Sequence, residues 1–249
     1  MREIVFIISA PSGSGKSTLT AELRKVVDHL EFSISYTTRG PRGSEQNGKE
    51  YFFVTRPEFQ KMIEEGQFLE YAEVFGNCYG TAARFLREAF VRGNDLILDI
   101  DVKGASQVQN RLPEAVSVFI LPPSREELER RLRRRTVAEN EERRKLANDG
   151  KTQEELEMVV QRRLQEASRE IENYSQYDYI LVNEKVEPAI DVLQSIVKAE
   201  RLKRSPEPPR PGDGQALASA ALAERRNMME QVQTVLATFE ESCSHTTTE

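Results

Sequence analysis

The chain has only two cysteines, Cys78 and Cys243, among 249 residues. They stand far apart and in no metal-ligand spacing, which excludes a disulfide framework and points to a reducing compartment. Histidine is as scarce: His29 and His245 both lie outside every motif described below, so no step is assigned to an imidazole. No apolar stretch approaches the length of a membrane span. The longest run near the start, Ile4-Val5-Phe6-Ile7-Ile8, is too short for a secretory signal, which needs a longer apolar region before a small-residue cleavage site. Its β-branched composition suits a buried strand. Excess positive charge is missing too. A formal net charge of −6 and a pI near 5.3 argue against a dedicated nucleic-acid binder. The chain is expected in the cytoplasm, with neither membrane nor nucleic acid as partner. There is no internal repeat.

What remains is 38% hydrophobic and 31% charged, and long enough for a sizeable core. Short apolar runs alternate with helical patterns. Strands are expected at 4–9, 32–36, 51–54, 68–74, 95–100, 116–121 and 179–182. Helices are expected at 15–30, 57–65, 81–92, 103–110, 124–134, 152–173 and 188–202. Ser124 with Glu127, and Thr152 with Glu155, read as capping boxes. This alternation predicts an α/β fold with a mostly parallel sheet covered on both faces. Residues 205–214 are rich in proline, glycine and charge and read as a linker, closing a domain over 1–203. Beyond it, Leu222, Met229, Val232, Leu236 and Phe239 fall near one helical face within 215–241. That tail reads either as partly disordered or as a docking or self-association helix, and 242–249 read as disordered.

Between the first strand and first helix lies Ala10-Pro11-Ser12-Gly13-Ser14-Gly15-Lys16-Ser17, followed by Thr18. This is a phosphate-binding P-loop in the context it needs. Gly13 and Gly15 let backbone N–H groups turn inward, and the helix adds its positive N-terminal end. Lys16 brings a charge to the β and γ phosphates, and Ser17 offers a hydroxyl to Mg²⁺. The general motif has glycine where Ala10 stands, so this position is expected not to need a positive φ. The motif specifies a nucleoside triphosphate and leaves the acceptor open.

The acceptor is approached through a series of motifs in order: Ser35-Tyr36-Thr37-Thr38-Arg39-Gly40-Pro41-Arg42-Gly43-Ser44-Glu45, Gly48-Lys49-Glu50-Tyr51, Phe68-Leu69-Glu70, Tyr79-Gly80-Thr81, and Leu98-Asp99-Ile100-Asp101. Over 4–135 and 161–203 the chain resembles the guanylate kinases. The resemblance implies a P-loop kinase core, a GMP-binding subdomain over about 33–83, an arginine lid over about 134–161, and transfer of the γ-phosphoryl of ATP to GMP with Mg²⁺. The residue chemistry agrees. Arg39 and Arg42 are forks suited to phosphate oxygens, and Tyr51 and Tyr79 can donate hydroxyls to the same group. Glu70 is a candidate base reader: a carboxylate accepts from both guanine N1–H and the 2-amino group, whereas adenine N1 is an acceptor. By resemblance Ser35, Thr81 and Asp101 complete the guanine contacts. Asp99 resembles a carboxylate that organises Mg²⁺ through water, and it sits at a strand end, where open α/β sheets bind ligands.

The segment Glu129-Arg130-Arg131-Leu132-Arg133-Arg134-Arg135 is densely basic. In the guanylate kinase pattern one arginine precedes a leucine, another follows four residues later and a third lies near the next helix. Arg131, Arg135 and Arg163 match, with Arg133, Arg134 and Arg162 as rivals because 140–150 lengthen the lid. Such arginines close over a triphosphate and neutralise developing charge. Two alternatives stand beside this: a non-catalytic peptide-binding module, which typically erodes the P-loop, and a kinase of the same fold with another acceptor.

Overall fold

The N-terminal apolar run does form a strand, β1 (Val5–Ser9), buried along its whole length. The computed structural model describes residues 3–43, 45–74, 76–147 and 150–240. They fall into two compact units. One comprises Met1–Ser9, Thr20–Ser117 and Glu200–Pro208; the other Ala10–Leu19, Val118–Ala199 and Pro209–Glu249, each over its described residues. The expectations placed on Cys243, His245 and 242–249 lie outside the described residues.

After β1 come α1 (Lys16–Val26), β2 (Leu30–Phe32), β3 (Tyr36–Thr37), β4 (Phe52–Phe53), α2 (Arg56–Glu64), β5 (Phe68–Val74), β6 (Asn77–Ala82), α3 (Ala83–Val91), β7 (Asp95–Asp99) and α4 (Val102–Arg111). In the first unit β7 pairs in parallel with β1 on one side and β2 on the other. A second sheet has the order β4-β3-β6-β5, with β6 antiparallel to both β3 and β5. The expected helix over 15–30 ends early: His29 takes a left-handed φ of 56° and Leu30 starts a strand. The single strand expected at 32–36 is two strands in different sheets.

The second unit holds β8 (Val116–Leu121, from Val118), α5 (Arg125–Ala147), α6 (Gln153–Ile171), β9 (Tyr179–Val182), most of α7 (Val186–Lys203), α8 (Asp213–Ala223) and α9 (Met229–Glu240). β8 and β9 pair in parallel, Val118 opposite Tyr179. α5 and α6 form an antiparallel hairpin around Leu128, Leu132, Val160, Leu164 and Ala167. α5 is far longer than the helix expected at 124–134. Its second half has no apolar periodicity, but it also has no Gly or Pro before Gly150. Opposite charges four residues apart run along it, Glu127–Arg131, Glu129–Arg133 and Arg135–Glu139, and such pairs sustain a helix. The box at Thr152 and Glu155 forms. At Ser124 the hydroxyl accepts the Glu127 N–H, while the Glu127 carboxylate takes Arg130 and Arg131.

The tail is two helices rather than one. The chain breaks over 224–228, and Glu224 makes an antiparallel bridge to Tyr179 of β9. The expected face therefore holds only in part: Val232 is buried and Phe239 packs against the α5–α6 core, but Leu222 and Met229 do not belong to the buried side. Ala216, Ala220, Ala223, Val232 and Val235 are buried, whereas Leu222 and Met229 are exposed.

Candidate active site

The loop after β1 turns on two glycines with φ of 92° at Gly13 and 93° at Gly15. Both also lie where a side chain has no room. A Cβ on Gly13 would sit 2.9 Å from methyl carbons of Leu128 and Leu132, and one on Gly15 would sit 2.3 Å from the Asn183 amide nitrogen. Ala10 is unstrained: among the described residues His29 is the non-glycine residue with positive φ. Ser14 N–H donates to the Pro11 carbonyl at 3.1 Å, closing the turn. Lys16 is the first residue of α1, so it stands at the positive end of that helix, with Ser17 and Thr18 exposed beside it.

Asn183 follows β9 and holds the loop from the other side. Its amide donates to the Ser14 carbonyl at 2.7 Å, and its own carbonyl accepts from Arg131 at 3.0 Å. Arg131 also reaches the Ser14 carbonyl at 3.4 Å and is anchored by Glu127 at 2.7 Å. Arg135 and Arg163 share one carboxylate, Glu139, at 2.8 and 2.9 Å, and Arg163 also donates to Thr136. Burial pushes the Glu139 carboxyl up, but Arg163 and Arg135 outweigh it and hold it below the usual carboxylate range. Of the rivals, Arg133 is paired outward with Glu129 and Glu157, and Arg134 and Arg162 are exposed.

In the first unit the Arg39 side chain is 9% exposed. It donates both arms of its fork to Glu45, at 2.8 and 3.0 Å, and lies over the Tyr51 ring at 5.2 Å. Burial disfavours its charge, yet hydrogen bonding to Glu45 and Tyr79 raises its pKa further above the ordinary arginine value. Tyr51 and Tyr79 meet edge to face with centroids 6.0 Å apart. Glu45 also accepts the Arg42 backbone N–H at 2.8 Å, which places that residue; the Arg42 side chain is exposed.

Glu70 is 3% exposed, opposite Thr81 in the β5–β6 register, and the Thr81 hydroxyl lies 3.3 Å from that of Ser35. Asp101 caps α4, its carboxylate accepting the Gly104 N–H at 2.7 Å. A Cβ on Gly104 would come within 2.5 Å of a Glu70 carboxylate oxygen and 3.4 Å of one of Asp101. The absence of that Cβ is what lets both acids converge. Asp99 ends β7 and accepts from the Thr20 hydroxyl at 3.2 Å.

The guanylate kinase family model matches residues 2–200. The chain belongs to the guanylate kinase family. It is 54% identical over 242 residues to the guanylate kinase of Koribacter versatilis, covering 97% of this chain and 98% of that one. It is 42% identical to that of Vibrio cholerae over 222 residues, covering 88% and 98%. A crystal structure of guanylate kinase from Anaplasma phagocytophilum superimposes with a TM-score of 0.63 at 33% identity, covering 81% and 88%. In this guanylate kinase family chain, Gly104 and Asn183 belong to none of the sequence motifs. The one signal for Asn183 is its place just beyond an apolar strand, the rule that singled out Asp99.

The Arg131 anchor has a pH signature. Hydrogen bonding from Arg130, helped by Arg131 and opposed by burial, lowers the Glu127 pKa to about 2. A lowered folded pKa gives stability that is present above the ordinary glutamate pKa of about 4 and is lost as pH falls below it. Thermal unfolding of the wild type and of Glu127→Gln is therefore expected to differ most at neutral pH and to converge as pH approaches about 2. A gap that stays constant across that range contradicts the assignment.

Proposed function

We propose that this chain transfers the γ-phosphoryl of ATP to a phosphate oxygen of GMP, giving ADP and GDP. The observation that carries it is the buried Glu70 carboxylate, set beside the Thr81 and Ser35 hydroxyls and close to Asp101. A buried acceptor pair suits a base edge that presents two donors, as guanine does. Arg39, Tyr51 and Tyr79, with Arg42 next along the turn, suit the monophosphate. The P-loop, Lys16, Arg131, Arg135 and Arg163 suit the triphosphate. We assign the GMP-binding part to about 33–83 and the lid to about 134–161.

The attacking oxygen of GMP is already anionic, so no side chain has to remove a proton. Catalysis by these residues is positioning and neutralisation of charge. Lys16 and the loop N–H groups hold the β and γ phosphates. Asn183 fixes the Ser14 carbonyl and so the loop's shape. Arg131, steadied by Glu127, adds charge beside the loop. On the acceptor side Glu45 keeps the Arg39 fork oriented until a phosphate takes it.

Taken singly, the Ser17 hydroxyl and the Asp99 carboxylate are hard oxygens of the kind Mg²⁺ prefers, and Asp99 accepts from Thr20. Among the described residues no three His, Cys, Asp or Glu side chains cluster to cage a metal. Such a set suits an ion that keeps waters and phosphate oxygens in its shell. When bound, Mg²⁺ would neutralise charge on the phosphate oxygens. We also assign the chain to the cytoplasm, on its two widely spaced cysteines. Among the described residues no helix is long and apolar enough to cross a membrane.

Phosphorus NMR of ATP, Mg²⁺ and GMP with the protein tests the acceptor atom. The γ signal of ATP should be replaced by the β signal of GDP. Release of inorganic phosphate alone would mean hydrolysis and would sink the proposal. A second test uses Gly104→Ala. Alanine favours a helix over glycine by up to about 1 kcal/mol, so stability should hold. The new methyl must displace the Glu70 carboxylate, so KM for GMP should rise about tenfold while KM for ATP stays put. Unchanged GMP kinetics would show that Glu70 is not the base reader.

A further inference from the structure

The family match ends at residue 200, yet the tail beyond it packs against the helix hairpin whose Leu128 and Leu132 lie against Gly13 of the phosphate loop. The Thr238 hydroxyl of α9 accepts the Arg125 N–H at 3.0 Å. That N–H opens α5 and has no acceptor within its own helix. One residue on, Phe239 packs against the hairpin core of Leu128, Leu132, Val160, Leu164 and Ala167. Leu128 and Leu132 are the residues whose methyl carbons crowd the Cβ position of Gly13. The tail is also fastened elsewhere: Arg225 N–H donates to the Asp178 carbonyl at 2.9 Å, and Lys198 pairs with Asp213 at 2.8 Å. Val232 and Val235 are fully buried, so α9 is seated rather than resting on the surface.

We propose that α9 is an internal strap that sets the phosphate loop, with Phe239 as a positioning residue acting through Leu128 and Leu132 on Gly13. Close-packed side chains transmit displacement because no free volume absorbs it. Removing the half-buried Phe239 ring uncovers the cluster to which the two leucines belong and lets them withdraw from Gly13. The loop then samples conformations that do not cradle phosphate, and only the nucleotide held by that loop is affected. The kinetic part rests on the ATP assignment made above; the structural part does not.

The test is made on the full chain. In Phe239→Ala, amide hydrogen exchange over 10–19 and 125–133 should quicken about tenfold while that of 20–117 is unchanged. KM for ATP should rise about fivefold with KM for GMP constant, and Phe239→Leu should recover most of both effects. Thr238→Val, which keeps the packing and removes the cap, should give a smaller change of the same kind and serves if Phe239→Ala does not fold. Unchanged exchange over 10–19 in a folded variant overturns the strap whatever the turnover. An equal rise in both KM values also overturns it, since that is the mark of general loosening. If the wild type turns over no GMP at all, quickened exchange over 10–19 still supports the strap, and the failure then belongs to the proposed reaction.

Discussion

Glu70→Gln should lower kcat/KM for GMP by about a thousandfold, which corresponds to about 4 kcal/mol. The substitution changes size hardly at all. It replaces one of two acceptor oxygens by an NH₂ group, which then faces a guanine donor in a site where the native side chain is 3% exposed. Two donors forced together in a buried site leave both unpaired, and neither can turn to water. The amide is, however, complementary to adenine, which offers an acceptor at N1 beside the donor N6. The ratio of GMP to AMP turnover should therefore collapse further than GMP turnover itself, because AMP gains while GMP loses. Steady-state kinetics with both nucleotides, at saturating ATP, measure this. Retention of GMP turnover within about threefold would remove Glu70 from base recognition.

Lys16→Met should lower kcat by about 10² to 10³ while GMP still binds. Methionine keeps an unbranched stem and removes the charge, so the loop geometry set by Gly13, Gly15 and Asn183 is preserved. What is lost is a cation at the head of α1, where phosphate charge is to be neutralised during transfer. Calorimetric titration with GMP separates this from misfolding: binding should match the wild type, because the acceptor residues do not include Lys16. A variant with normal kcat would mean that the P-loop does not hold the transferred group.

Sequence and structure part company in instructive places. The P-loop was legible because all its determinants are local: a strand, glycines at positions that do take positive φ, and a helix beginning at Lys16. Glu70 is singled out as a candidate only by resemblance and base chemistry. An acid in a strand is normally solvated, as its neighbours Tyr71 and Glu73 are. Nothing near Glu70 in sequence announces that Gly104, 34 positions on, leaves room for its carboxylate. Asn183 is 169 positions from the Ser14 carbonyl that it holds, so its role is invisible without the fold. The second half of α5 is not legible in apolar periodicity, because its regularity lies in its charges. The tail departs from a single helical face because its helix is interrupted over 224–228, and its burial is set by α5 and β9.

The most direct test of the central claim is ADP release with ATP, Mg²⁺ and GMP, run beside AMP, CMP and UMP under the same conditions. Fast turnover with GMP and little with the other three is the predicted result. It would support phosphoryl transfer and guanine selection together. Turnover with none of the four, in a protein shown to be folded, would contradict the account and leave a nucleotide-binding module in its place.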